Sequence, residues 1–128
     1  MAYTWDHLHL RSLDPETAAQ FYLAMFGATK LPSTEANGML RCIVDLQGLK
    51  LFIEQVTPET PSAPEPPYRG LEHLGLAVNN LDQAVSDLES KGAEFLVPPR
   101  TARPGIRIAF LRGPDNVRIE LVERTAAE

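Results

Sequence analysis

A single cysteine in 128 residues excludes an internal disulfide. It is Cys42, in the apolar stretch Cys42-Ile43-Val44, a setting that reads as a buried strand position rather than a nucleophile. Positive charge is also scarce. Twelve Lys and Arg against 17 Asp and Glu leave a net charge of −5 and a pI of about 5.2, which argues against nucleic acid or an anionic membrane as the main partner. No apolar run approaches the roughly 18 residues of a membrane span. The start, Met1-Ala2-Tyr3-Thr4-Trp5, lacks the charged-then-apolar layout of a signal peptide, so a cytoplasmic location is expected. What is present, 44% hydrophobic and 23% charged residues, suits one compact domain with a core of its own.

Histidines number only three, so their placement carries weight. Glu54 follows His7 by 54 − 7 = 47 positions, and Glu120 follows His73 by 120 − 73 = 47. The repeat extends around these residues: Trp5-Asp6-His7-Leu8-His9-Leu10 aligns with Leu71-Glu72-His73-Leu74-Gly75-Leu76, and Lys50-Leu51-Phe52-Ile53-Glu54 with Asn116-Val117-Arg118-Ile119-Glu120. Between them lie two helical readings, Asp14 to Gly27 and Asn80 to Gly92, each opening on a capping Asp or Asn and closing on Gly. Each half therefore reads β-α-β-β-β. The segment from Thr57 to Gly70 carries prolines at 58, 61, 64, 66 and 67 and forms neither helix nor central strand. The expected organisation is module one over 1–56, a linker over 57–70, and module two over 71–124. The tail from Arg124 to Glu128 is expected to fray.

The period of two along a strand tells which side chains share a face. His7, His9 and Arg11 oppose Leu8 and Leu10, while Lys50, Phe52 and Glu54 oppose Leu49, Leu51 and Ile53. In the second half His73, Gly75 and Ala77 oppose Leu74, Leu76 and Val78, and Arg118, Glu120 and Val122 oppose Val117, Ile119 and Leu121. The helices supply matching apolar stripes, Ala18, Phe21, Tyr22 and Met25 in one and Leu81, Val85 and Leu88 in the other. A curved sheet follows, with helices outside and a polar-lined cleft inside. Two imidazoles and two carboxylates on one face are a donor set for a divalent cation.

Three motifs, Asp6-His7-Leu8-His9-Leu10 with Asp14 and Phe21-Tyr22, Glu72-His73-Leu74-Gly75-Leu76-Ala77-Val78, and Gly113-Pro114-Asp115-Asn116-Val117-Arg118-Ile119-Glu120-Leu121, resemble those of the vicinal oxygen chelate superfamily. That group holds glyoxalase I, methylmalonyl-CoA epimerase, fosfomycin-resistance enzymes, extradiol dioxygenases and bleomycin-binding proteins. The resemblance implies an α+β fold of two tandem βαβββ modules, forming an eight-stranded, incompletely closed barrel-like sheet, commonly in homodimers. It implies metal ligands at His7, Glu54, His73 and Glu120, with zinc, nickel, manganese, cobalt or iron as the divalent ion. It further implies Lewis-acid chemistry on a small α-oxygenated carbonyl substrate, with Glu120 as base and Glu54 as its partner.

Arg11, four residues after His7, stands where bacterial glyoxalases carry an arginine for glutathione, whereas Pro58 departs from the asparagine those enzymes carry four residues after the glutamate. Arg11 is thus a substrate contact or a strand-end partner of Asp14. His9 reads as a cleft-lining residue. Arg100, Arg103 and Arg107 surround Pro98-Pro99 and Pro104-Gly105 in an expected loop near the cleft mouth, where Arg103 suits an anionic substrate and a solvated loop is the plainer reading. Two other functions fit the resemblance: an iron-dependent dioxygenase using His7, His73 and Glu120, and a metal-free protein that binds a drug or metabolite.

Overall fold

The computed structural model describes residues 1–125 and divides the chain into two compact units, Met1–Ser62 and Ala63–Glu128. In the first, β1 (His7–Ser12), α1 (Pro15–Phe26), β2 (Thr29–Ala36), β3 (Met39–Leu46) and β4 (Leu49–Gln55) follow in order. The sheet order is β1-β4-β3-β2, with β1 parallel to β4 and the remaining pairs antiparallel. Its two hairpins turn on Asn37-Gly38 and Gln47-Gly48, all four residues at positive φ, the backbone that two-residue hairpin loops require.

Helix α1 begins where Asp14 accepts the Thr17 backbone N–H at 3.2 Å and the Thr17 hydroxyl at 2.7 Å. It ends on Gly27 in the left-handed region. Its buried side chains are Pro15, Ala18, Ala19 and Tyr22, with Phe21 and Met25 of the expected stripe only half-buried. The helix packs on β3 and β4, where Cys42, Val44, Leu51 and Ile53 are sealed from solvent. Burying Leu51 or Ile53 contributes roughly 2 kcal/mol each.

The second unit holds β5 (Leu74–Ala77), α2 (Leu81–Ser90), β6 (Phe95–Arg103), β7 (Ile106–Arg112), a 3-10 turn (Pro114–Asn116) and β8 (Arg118–Arg124), with sheet order β5-β8-β7-β6. Asn80 caps α2 through the Gln83 N–H, and Leu81, Val85 and Leu88 form its buried stripe. The helix start is also tied to the sheet, since the buried Glu123 carboxylate accepts the Leu81 N–H at 2.8 Å. The eight strands are hydrogen-bonded as two four-stranded sheets.

Three sequence expectations change. The stretch carrying Arg100, Arg103 and Arg107 is the β6–β7 hairpin and not a loop: Pro98 and Pro99 are accommodated because β6 is an edge strand whose pairing slips between Val97 and Arg100. Arg107 is a structural tie, donating to both oxygens of Asp82 at 3.0 Å, while Arg100 and Arg103 are exposed. At the tail, β8 includes Arg124, and the Thr125 N–H bonds the Gly105 carbonyl at 2.9 Å; the rest of the expected frayed segment, 126–128, lies outside the described residues. The face of the second sheet that bears Glu120 is not lined by polar groups alone, because Ile106, Ile108 and Phe110 cluster there with Val97 and Val122. No helix among the described residues is long and apolar enough to cross a membrane.

Candidate functional site

Glu54 occupies β4 between two neighbours that both place an arginine beside it. The register pairs it with Arg11 on β1 and with Arg41 on β3. Arg11 Nη1 donates to Glu54 Oε2 at 2.9 Å, and Arg41 donates to Oε1 through Nη2 at 2.7 Å and Nε at 3.1 Å. His9 Nε2 stands 3.4 Å from the same Oε1. The Arg41 hydrogen bonds are the largest cause holding the Glu54 carboxyl below its ordinary value, opposed by burial and reinforced by Arg11. His9 is pushed down, first by burial, against the pull of Glu54. Arg11 thus pairs with Glu54 and not with Asp14, whose carboxylate is committed to capping α1.

His7 faces a different set of contacts. Its Nδ1 lies 2.6 Å from Asp6 Oδ2, and its ring stacks on Phe52 with centroids 3.9 Å apart and planes within 6°. Along the strand it precedes the residue opposite Glu54 by four positions, a rise of about 13 Å.

In the second unit Gly75 is opposite Glu120, and His73, two residues earlier, brings Nε2 to 3.2 Å from Glu120 Oε1. Its Nδ1 lies 3.0 Å from Glu72 Oε1, and its ring meets Phe110 edge-on at 5.1 Å. Gly75 leaves the space beside Glu120 free of a side chain; a Cβ there would meet Glu120 Oε1 at 3.8 Å, an ordinary contact distance.

The equal spacing of 47 therefore does not become equal geometry. By register, the counterpart of the His73–Glu120 pair is His9–Glu54, because β1 and β4 pair two residues out of step with β5 and β8. The structure brings together His73 with Glu120, and His9, Arg11 and Arg41 with Glu54; it sets His7 on Asp6 and Phe52, and leaves Arg103 exposed on the edge strand. Within neither unit do three or more His, Cys, Asp or Glu side chains gather around one point, among the described residues. Arg41 escaped the sequence reading. Its signal was the alternation Arg41, Ile43, Asp45 against Cys42, Val44, Leu46, which places it on the face of Glu54 once β3 is paired with β4.

The sequence model of the glyoxalase/bleomycin resistance protein/dioxygenase superfamily matches residues 4–121. The uncharacterized protein YaeR of Escherichia coli K12 is 31% identical over 126 residues, covering 92% of this chain and 94% of that one. Among solved structures, a glyoxalase family protein from Enterococcus faecalis superposes with a TM-score of 0.79 at 23% identity, covering 91% of this chain and 94% of its own. The fosfomycin resistance protein FosX from Listeria monocytogenes, solved with Mn(II) and sulfate, gives 0.74 at 19% identity, with 98% and 95% covered. A glyoxalase I mutant from Zea mays gives 0.76 at 18% identity, spanning 94% of this chain and 44% of the maize protein. The chain belongs to the glyoxalase/bleomycin resistance protein/dioxygenase superfamily.

Proposed function

We propose that this protein is a divalent-metal-dependent enzyme of the glyoxalase or epimerase type, a lyase or isomerase that acts in the cytoplasm, as a homodimer, on a small α-oxygenated carbonyl compound. The observation that carries this reading is the His73–Glu120 pair, an imidazole nitrogen and a carboxylate oxygen 3.2 Å apart beside the open position at Gly75. Glu72 at Nδ1 is the outer contact that metal-binding imidazoles require, and it leaves Nε2 as the donor. Asp6 does the same for His7. Within the second unit, His73 and Glu120 are donors of the kind that suits a divalent cation, and His7 is the further ligand the proposal assigns. Nitrogen and oxygen donors without thiolate are compatible with zinc, nickel, manganese, cobalt or ferrous iron.

Glu54 does not fit as it stands. Three N–H groups of two guanidiniums occupy its oxygens, and a cation would have to displace Arg11 and Arg41. Glu54 therefore enters the ligand set only by exchanging those partners. When bound, the metal supplies positive charge to the substrate's oxygens as the adjacent carbon loses its proton. Glu120 is the base that takes this proton and returns it to the neighbouring carbon, with Glu54 as its partner carboxylate and with Arg11 and His9 lining the substrate's path. Arg103, exposed at the end of β6, is a further candidate contact for an anionic substrate.

One observation favours a second reading. With Glu54 held by arginines, the donors remaining to the proposal are His7, His73 and Glu120, the two-histidine, one-carboxylate type that an iron-dependent dioxygenase would use. Metal analysis after reconstitution, followed by turnover of methylglyoxal–thiol adducts, acyl-CoA epimers and catechols, tests both. Isomerisation of a carbonyl substrate supports the first, and ferrous-dependent oxygen uptake on a catechol supports the second. Failure to bind any metal, with unchanged stability, refutes both.

A further inference from the structure

The second unit contains a cleft of about 220 Å³ that the proposed chemistry does not use. Its lining combines apolar groups, Leu96 and Val97 from β6 and Pro64 and Pro66 from the linker, with two cations, Arg118 and Arg112. The volume is below the roughly 300–1,000 Å³ of drug-sized sites, so it suits a small ligand or one group of a larger one.

Arg118 has an unusual position. Its guanidinium lies over the Phe110 ring, with Cζ 4.4 Å from the centroid, and its Nε is buried with no hydrogen-bond partner. No carboxylate lies within ion-pair distance of it among the described residues. The arginines of the neighbouring strand β7 are committed, Arg107 to Asp82 and Arg112 to Glu94 and Asn116. Leaving a buried guanidinium donor unmet is costly, and such a group calls for an occupant. Contact with the Phe110 ring restrains the guanidinium, which helps preorganise its fork for a bidentate acceptor.

The cleft also adjoins the proposed site. Arg118 and Glu120 are two residues apart on one face of β8, about 7 Å along the strand. Glu72, which holds His73 Nδ1, is a lining residue. Glu65 is the remaining carboxylate of the lining, an acceptor for a ligand hydroxyl, whereas a negative group is drawn to the arginines.

We propose that this cleft binds the anionic group, carboxylate or phosphoryl, of a small hydroxy or oxo acid, with Arg118 as its fork. Its role in orienting a carbonyl carbon toward Glu120 rests on the proposed reaction; the anion binding does not. The Arg118 side-chain Nε–H resonance, followed by 15N NMR in metal-free protein titrated with lactate or with inorganic phosphate, tests it. The account expects a saturable shift of Arg118, with the Arg107 resonance unmoved. Lactate acting alone identifies a carboxylate seat, and phosphate acting alone a phosphoryl seat. Arg118→Lys, which keeps the charge and loses the fork, weakens binding at least about tenfold. An unmoved Arg118 resonance with both probes overturns the proposal, as does unchanged affinity in folded Arg118→Lys or Arg118→Met. If Arg118 binds the anion and the metal-loaded protein turns over no carbonyl substrate, the cleft stands and the proposed reaction falls. If turnover proceeds with the same KM in Arg118→Lys, the reaction stands and the orienting role of the cleft falls.

Discussion

The two halves of the sequence offer the same His and Glu pair, yet the structure predicts that the two carboxylates respond unequally to substitution. Among the described residues Glu120 has His73 as its ion-pair-distance neighbour, at 3.2 Å and with no guanidinium on its oxygens, so an ion arriving there displaces little. Glu54 accepts three guanidinium N–H groups at 2.7–3.1 Å, each a charge-assisted bond that an ion must break. Each such bond weighs on the order of tenfold on an equilibrium constant. Glu120→Gln should therefore weaken Mn2+ or Zn2+ binding about 10–100-fold, the scale on which metal sites respond even to the loss of an outer-shell partner. Glu54→Gln should change it by less than about threefold, and Arg11→Gln with Arg41→Gln should strengthen it by about tenfold or more. Calorimetric titration of metal-free protein, with melting curves to confirm folding, measures all three. Equal losses in Glu54→Gln and Glu120→Gln, with no gain in the arginine double variant, would refute the reasoning.

Further expectations concern stability and access. Leu121→Ala, at a position sealed beneath the face that bears Glu120, should cost about 2–5 kcal/mol in chemical denaturation, and a loss near zero would mean that this side is not a packed core. Hydrogen bonds from Arg107 hold the Asp82 carboxyl below its ordinary value. A depressed folded value means that this stabilisation is fully present above about pH 3.8 and is lost as the pH falls through the folded value. Asp82→Asn should accordingly flatten the acid limb of the stability–pH curve, and identical limbs would contradict the pairing. A single methyl at Gly75 meets Glu120 at ordinary contact distance, so Gly75→Ala should retain metal affinity, whereas Gly75→Leu should lose it.

The repeat, the helix caps at Asp14 and Asn80 and the strand faces were legible because they depend on local chemistry and on the period of two. Register was not. Parity assigns His7, His9 and Glu54 to one face, but a slip of two residues leaves parity intact, so nothing in the alternation says whether Glu54 meets His7 or His9. The Arg41 contact depends on the same information from the opposite neighbour. Prolines 98 and 99 argued for a loop because a proline removes a ladder hydrogen bond, and only the position of β6 at a sheet edge makes a strand admissible there. The apolar cluster of Ile106, Ile108 and Phe110 was hidden for a different reason: β7 is apolar on both faces, and its alternation carries no signal.

Titration of the metal-free protein with zinc and manganese, read by bound-ion content and by melting temperature, tests the central claim most directly. Specific binding to the folded chain should raise the melting temperature with ion concentration, and Glu120→Gln should lose most of that rise. An unchanged melting temperature with no ion retained would contradict the account.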